Sequence, residues 1–214
     1  DENESKTSHV IFCYNESSKK VHDKYENTNA KTVVVGAPSV SKKIEFRNLQ
    51  RLYNRKRFKP KTNRVVFYVS HNLQLNANKY FPFTKPNSEI FKDEIFLLKK
   101  LGKINKEVFF KLYYNEHYIV GKDSEINKIA GKYQNLNYLN ISEDFRYTRT
   151  LADIIITQAS ESTLEWCIGL NVPLIFLDSN YYEPLENEKV KKAFKESFFV
   201  FNYDNLGWEK NLID

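Results

Sequence analysis

Short apolar runs with little polar alternation recur along most of the chain. Arg64–Ser70 (RVVFYVS), Val108–Tyr113 (VFFKLY) and Asp153–Thr157 (DIIIT) are typical of strands that are covered on both faces. Between them, Glu89–Leu101 (EIFKDEIFLLKKL) carries apolar residues three and four positions apart, which predicts an amphipathic helix. This alternation continues from residue 64 to the end. It predicts an α/β doubly wound domain with a Rossmann-like parallel sheet of about six strands.

A different pattern precedes residue 64. Residues 9–14 (HVIFCY) and 31–36 (KTVVVG) predict two short strands around a polar helix. Residues 41–61 are charged and compatible with a helix, and they end in Lys59-Pro60-Lys61, which is typical of a linker. We therefore expect the chain to divide into residues 1–60 and residues 61–214.

Composition narrows the class of protein. Hydrophobic residues make up 41% of the 214 residues, which is enough for a packed core. No apolar run approaches the ~20 residues that a membrane-spanning helix needs. Cys13 and Cys167 both lie in apolar surroundings. Buried free thiols are typical of a reducing compartment, so we expect a cytoplasmic protein.

The net charge is +6, from 33 Lys and Arg against 27 Asp and Glu. Such an excess is compatible with nucleic acid, anionic lipid or a phosphorylated substrate. The basic residues are scattered except in Arg51–Lys61 (RLYNRKRFKPK). No RNP-type aromatic pattern, zinc spacing or recognition helix accompanies them, so nucleic acid is not the expected partner.

The turn Gln158–Thr163 is the strongest candidate for ligand binding. It joins a predicted strand to a predicted helix, and ligands of open parallel sheets bind beyond the carboxyl ends of the strands. The hydroxyls of Ser160, Ser162 and Thr163 and the free N–H groups of the helix start would suit a phosphate. Ser162 and Glu165 also fit a capping box. Glu165 therefore either binds the two hydroxyls of a ribose or caps its own helix.

Four basic side chains are further candidates. His117 follows the strand Val108–Tyr113, and His71 begins a predicted polar loop, His71–Ser88. Both are candidate catalytic residues, although loop histidines are commonly solvated. Lys111 and Arg146 are candidate phosphate ligands, with a partly buried lysine stem and a solvated arginine as the alternatives. The sequence contains no P-loop, GxGxxG, GxSxG or HExxH pattern, and we expect no metal site.

The ordered residues Ala152-Asp153, the isoleucine run, Ser162-Thr163, Glu165 and Gly169–Pro173 (GLNVP) resemble the C-terminal nucleotide-sugar domain of GT-B glycosyltransferases. The similarity is greatest to bacterial surface-polysaccharide enzymes, including CDP-glycerol glycerophosphotransferases. Thr32–Pro38 (TVVVGAP) resembles the segment that ends the N-terminal domain of these enzymes. His117 matches a cleft histidine, but Tyr118 stands where the family has proline.

The resemblance implies that residues 1–60 are the tail of an N-terminal domain with a hinge, and that residues 61–214 bind the donor. It implies a nucleotide-sugar or CDP-polyol donor, a glycan or lipid-linked acceptor, and no cofactor. Peripheral association with the inner face of the cell membrane is a further implication, as is inactivity of the fragment alone. A UDP-sugar 2-epimerase and a non-catalytic basic α/β binding module remain the alternatives.

Overall fold

The computed structural model comprises two compact units, Asp1–Ile44 and Glu45–Asp214. The structure describes residues 7–24, 30–36, 44–73, 87–114, 125–139, 142–158, 162–179, 188–205, 207–208 and 210.

The first unit contains a pair of parallel strands with one helix. Strand β1 (Val10–Cys13) pairs with β2 (Lys31–Val34), and α1 (Glu16–His22) connects them. Asn15 caps α1, since its side-chain oxygen accepts a hydrogen bond of 2.8 Å from the Ser18 N–H. The predicted strand–helix–strand order of this segment is confirmed.

The second unit alternates helices and strands throughout. Its elements are α2 (Ile44–Phe58, which begins at the division between the units), β3 (Val65–Leu73), α3 (Asn87–Leu101), β4 (Glu107–Tyr114), α4 (Glu125–Lys132), β5 (Leu136–Leu139), α5 (Phe145–Thr148), a 3-10 turn (Arg149–Leu151), β6 (Ile154–Thr157), α6 (Ser162–Ile168), β7 (Leu174–Asp178), α7 (Glu188–Ser197) and β8 (Phe199–Asn202). The strands form one six-stranded sheet in the order β5-β4-β3-β6-β7-β8, and every pair is parallel. The predicted α/β, Rossmann-like class is confirmed.

The strand order reverses between β3 and β6. From β3 the chain moves outward to β4 and β5, and then it returns to the other side of β3 with β6, β7 and β8. In such sheets a crevice opens at the carboxyl ends of the two central strands, and ligands bind there. The carboxyl ends of β3 and β6 are therefore the place in this unit where a ligand site is expected.

Helices cover both faces of this sheet because alternate strand residues point to opposite sides. Val66, Tyr68 and Ile156 pack on the side of α3 and α4, which we call the α3 face. Phe67 and Ile155 pack on the other side, with α5 and α6, which we call the α6 face. Both faces are apolar, which accounts for the near-continuous hydrophobic runs in the strands.

Strand β3 is longer than its apolar run. The prediction that a loop begins at His71 is wrong, because β3 continues to Leu73. Its pairing with β4 shifts register between Val69 and Asn72, which is typical of a β-bulge. His71 thus lies within this irregular part of the strand.

Candidate functional site

Buried polar residues lie at the carboxyl ends of the two central strands. Ser70 is 1% exposed on β3, and Thr157 and Gln158 are 0% and 1% exposed at the end of β6. The register pairs Val69 with Thr157, so these residues lie at one level of the sheet. Polar side chains at this depth require hydrogen-bond partners, because desolvation without one costs free energy.

One hydrogen-bond network joins three elements on the α3 face. The Tyr68 hydroxyl donates to Oε2 of Glu94 at 2.6 Å, and Nε2 of Gln158 donates to Oε1 of Glu94 at 2.6 Å. Nε2 of Gln158 also donates to the Tyr68 oxygen at 3.1 Å. Tyr68 and Glu94 are both 0% exposed. The network ties α3 to β3 and β6 directly below the crevice.

The side-chain carbonyl of Gln158 takes no part in this network. Its side-chain oxygen, Oε1, is buried and has no hydrogen-bond partner within the described part of the chain. Tyr68 and Glu94 were not among the sequence candidates, and Gln158 was included only as the first residue of the predicted turn Gln158–Thr163. A signal was nevertheless present, since Glu94 is an acidic residue within the apolar stripe of α3, three positions after Phe91 and four before Leu98.

Charged side chains gather on the α6 face. Lys111 is 2% exposed on β4, and burial lowers its pKa, while the carboxylates of Glu143 and Asp144 oppose that shift. Asp144 caps α5 and accepts hydrogen bonds from the Arg146 guanidinium at 2.5 and 2.9 Å. These bonds lower the pKa of the Asp144 carboxyl. The candidates Lys111 and Arg146 therefore flank the same carboxylate.

Helix α6 begins at Ser162, so the last two residues of the predicted turn Gln158–Thr163 belong to the helix. Thr163 and Glu165 lie half-buried in its first turn. The candidates Ser160 and His117, and the side chains of Ser162 and His71, lie outside the described residues. Whether Glu165 faces a ribose or caps its helix therefore stays a prediction.

Arg149 connects the 3-10 turn Arg149–Leu151 to α6. Its guanidinium lies 4.5 Å from the centre of the Trp166 ring and donates to the Trp166 carbonyl at 2.6 Å. Burial is the main cause that lowers the pKa of Arg149. With Leu164 and Cys167 in the core, this contact fixes the helix that carries Glu165.

Asp153 lies at the opposite, amino edge of the sheet. Its carboxylate accepts from Arg51 at 2.5 Å, from Arg55 at 2.9 Å and from the Val65 N–H at 2.8 Å. Although Asp153 belongs to the pattern that resembles GT-B enzymes, its contacts join α2 to β3 and β6.

These contacts also change the interpretation of the basic segment Arg51–Lys61. Arg51 and Arg55 are bound by Asp153, and Arg57 pairs with Glu143 at 2.5 Å. Three of its arginines thus neutralise carboxylates of the same chain. This part of the surface offers less positive charge to an external polyanion than its sequence indicates.

Comparison of the sequence with protein-family models and with curated proteins found no match. The site must therefore be interpreted from its own geometry. Among the described residues, no helix is long and apolar enough to cross a membrane. The same residues contain no group of three or more His, Cys, Asp and Glu side chains arranged to hold a metal ion.

Proposed function

We propose that the second unit binds the nucleotide of an activated donor at the crevice between β3 and β6. In this proposal it is the donor half of a GT-B-like transferase that moves a sugar or polyol phosphate to a cell-surface glycan acceptor. The strand order is the observation that carries the proposal, because it reverses beside the segment that resembles the donor-binding pattern of that family. The segment from Asp153 to Pro173 contains β6, α6 and the approach to β7.

Each candidate residue has a chemical role in this proposal. The hydroxyls of Ser160, Ser162 and Thr163 bind the diphosphate, and the Glu165 carboxylate accepts hydrogen bonds from both ribose hydroxyls. As the donor bond breaks, its electron pair remains on the diphosphate. In this proposal the positive charges of Lys111 and Arg146 stabilise that developing negative charge.

The binding-module alternative has weaker support. Its basis was the basic segment Arg51–Lys61, and three arginines of that segment are occupied by Asp153 and Glu143. No described contact favours the epimerase, whose acid and base groups the resemblance assigns mainly to the N-terminal half. A donor-binding role uses polar groups of the second unit itself, at the carboxyl ends of β3 and β6 where the strand order reverses.

Isothermal titration with CDP, UDP and GDP tests the proposal. We expect one of the three to bind the wild-type chain, and Glu165→Ala to weaken that affinity about tenfold. Glu196→Ala is the control, because the Glu196 side chain is 65% exposed on α7 and its carboxylate pairs with Lys192 at 3.9 Å. Absence of binding to the wild-type chain would contradict the function. Equal binding by Glu165→Ala would contradict the ribose assignment alone.

A further inference from the structure

We infer that Oε1 of Gln158 is a binding position that accepts a hydrogen bond from a hydroxyl or amino group of the bound nucleotide donor. This inference rests on the proposed function and adds a specificity-determining residue to it.

The orientation of that amide is fixed by its neighbours. Both oxygens of the Glu94 carboxyl accept hydrogen bonds, from Tyr68 and from Nε2 of Gln158. A flipped amide would place Oε1 2.6 Å from a carboxylate oxygen, and two acceptors repel each other. The second N–H of Nε2 is directed to the Tyr68 oxygen. The carbonyl of the amide must therefore point away from the network.

A buried acceptor without a partner is costly and uncommon in folded proteins. Gln158 is 1% exposed, so bulk water does not satisfy Oε1 in the ligand-free chain. Either a bound ligand or an enclosed water molecule can supply the missing hydrogen. The position of Gln158, next to Thr157 at the end of β6, favours the ligand because this is the crevice of the sheet.

The chemistry of Oε1 restricts which part of a ligand it meets. A carbonyl oxygen accepts hydrogen and repels anions, so it does not bind a phosphate oxygen. It recognises a neutral O–H or N–H group, which a nucleotide donor carries on its sugars and on its base, as the amino group of cytosine or guanine or the ring N–H of uracil or guanine. Because Oε1 is enclosed, this contact forms only with a local rearrangement of the residues around it.

The discriminating variant is Gln158→Met, which keeps the length of the side chain and removes both the carbonyl and the N–H groups that bind Glu94 and Tyr68. Ile156→Val is the matched control, because Ile156 is also buried, lies two residues earlier on β6 and packs in the apolar core of the α3 face. Affinities are measured by titration with CDP, UDP and the 2′-deoxy form of the tighter ligand. We expect Gln158→Met to lose about tenfold in affinity and Ile156→Val to bind as the wild-type chain does.

The ligand series identifies the group. If the amino group is bound, the preference for CDP over UDP disappears in Gln158→Met; if the ribose hydroxyl is bound, the preference for the ribose form disappears. If Gln158→Met does not fold, the side-chain amide signal of Gln158 is followed by NMR in the wild-type chain, and we expect it to shift on binding. If the wild-type chain binds and Gln158→Met binds equally well, or if the amide signal does not shift, then Oε1 is satisfied by an enclosed water molecule only. Either result overturns this inference alone. No binding by the wild-type chain overturns both proposals.

Discussion

Replacing Asp153 with alanine separates a structural from a ligand-binding role for the aspartate that opens the β6 pattern. The carboxylate holds Arg51 and Arg55 of α2 and also accepts the Val65 N–H at the start of β3. Asp153 and Val65 also form a second hydrogen bond, from the Asp153 N–H to the Val65 carbonyl at 2.9 Å. The substitution removes three side-chain hydrogen bonds at once but leaves the carboxyl edge of the sheet intact.

The magnitude follows from the burial of each partner. Val65 is 0% exposed, so its orphaned N–H costs about 1–3 kcal/mol. The ion pairs are worth less, about 0.5 kcal/mol each, because the Arg51, Arg55 and Asp153 side chains are 32%, 25% and 24% exposed. We expect Asp153→Ala to lower the free energy of unfolding by about 2–4 kcal/mol. Asp153→Asn keeps an acceptor for Val65 and should lose about 1 kcal/mol.

Urea unfolding followed by tryptophan fluorescence measures this change. With a slope of about 2 kcal/mol per molar urea, the midpoint of Asp153→Ala should fall by roughly 1–2 M. The control Glu196→Ala removes a pair with 80% and 65% exposed side chains and should stay within about 0.5 kcal/mol of the wild-type chain. A midpoint for Asp153→Ala equal to that control, or a nucleotide affinity reduced in the still-folded Asp153→Asn, would refute the structural role.

Two further predictions concern the core. Burial raises the pKa of Cys167 to about 12, so roughly one thiol in ten thousand is ionised at pH 8, and iodoacetamide should label it far more slowly in the native than in the urea-unfolded chain. The thiol of the unfolded chain ionises near its ordinary pKa of 9.0, so the free energy of unfolding should fall as the pH rises from about 9 toward 12. Cys167→Ala should reduce this pH dependence. An unchanged pH dependence contradicts its assignment to Cys167. A Cβ at Gly102 would lie 2.4 Å from Cγ of Tyr133, so Gly102→Ala should cost about 1–3 kcal/mol in thermal or urea unfolding. Gly131→Ala, with nothing within 4 Å of its Cβ, should be neutral or stabilising, and equal losses in both variants would refute the steric argument.

Local patterns were sufficient for the strands and helices whose burial is regular. Strands β3, β4 and β6 are apolar on both faces, and their runs are visible in the sequence without knowledge of their neighbours. The strand order was not predictable in this way, because it depends on pairing between segments far apart in the chain. The same limit applies to the end of β3, where polar residues after Ser70 continue a strand that they do not mark by pattern.

Helix α2 shows why amphipathic spacing alone can mislead. Leu49 and Tyr53 are 65% and 64% exposed, whereas Asn54 is 2% exposed and donates to the Tyr147 carbonyl at 2.6 Å. The inward face of α2 is polar around Arg51 and Asn54 because their partners there are backbone carbonyls and Asp153, whereas Phe58 at the end of the helix packs against Phe109. A hydrophobicity pattern records the transfer of side chains from water but not the positions of distant hydrogen-bond acceptors.

The residues at the two ends of β6, which belong to the sequence pattern that first indicated a site, differ in how far protein contacts explain them. At the amino end, the contacts of Asp153 are all with the protein itself, which accounts for an aspartate there without any ligand. At the carboxyl end, the amide of Gln158 is held by Glu94 and Tyr68, and its carbonyl has no partner among the described residues. Protein contacts therefore explain the first residue completely and the second only in part. A hydrogen bond from a ligand would contribute most to affinity at Oε1 of Gln158, because this acceptor is already oriented and dehydrated before binding.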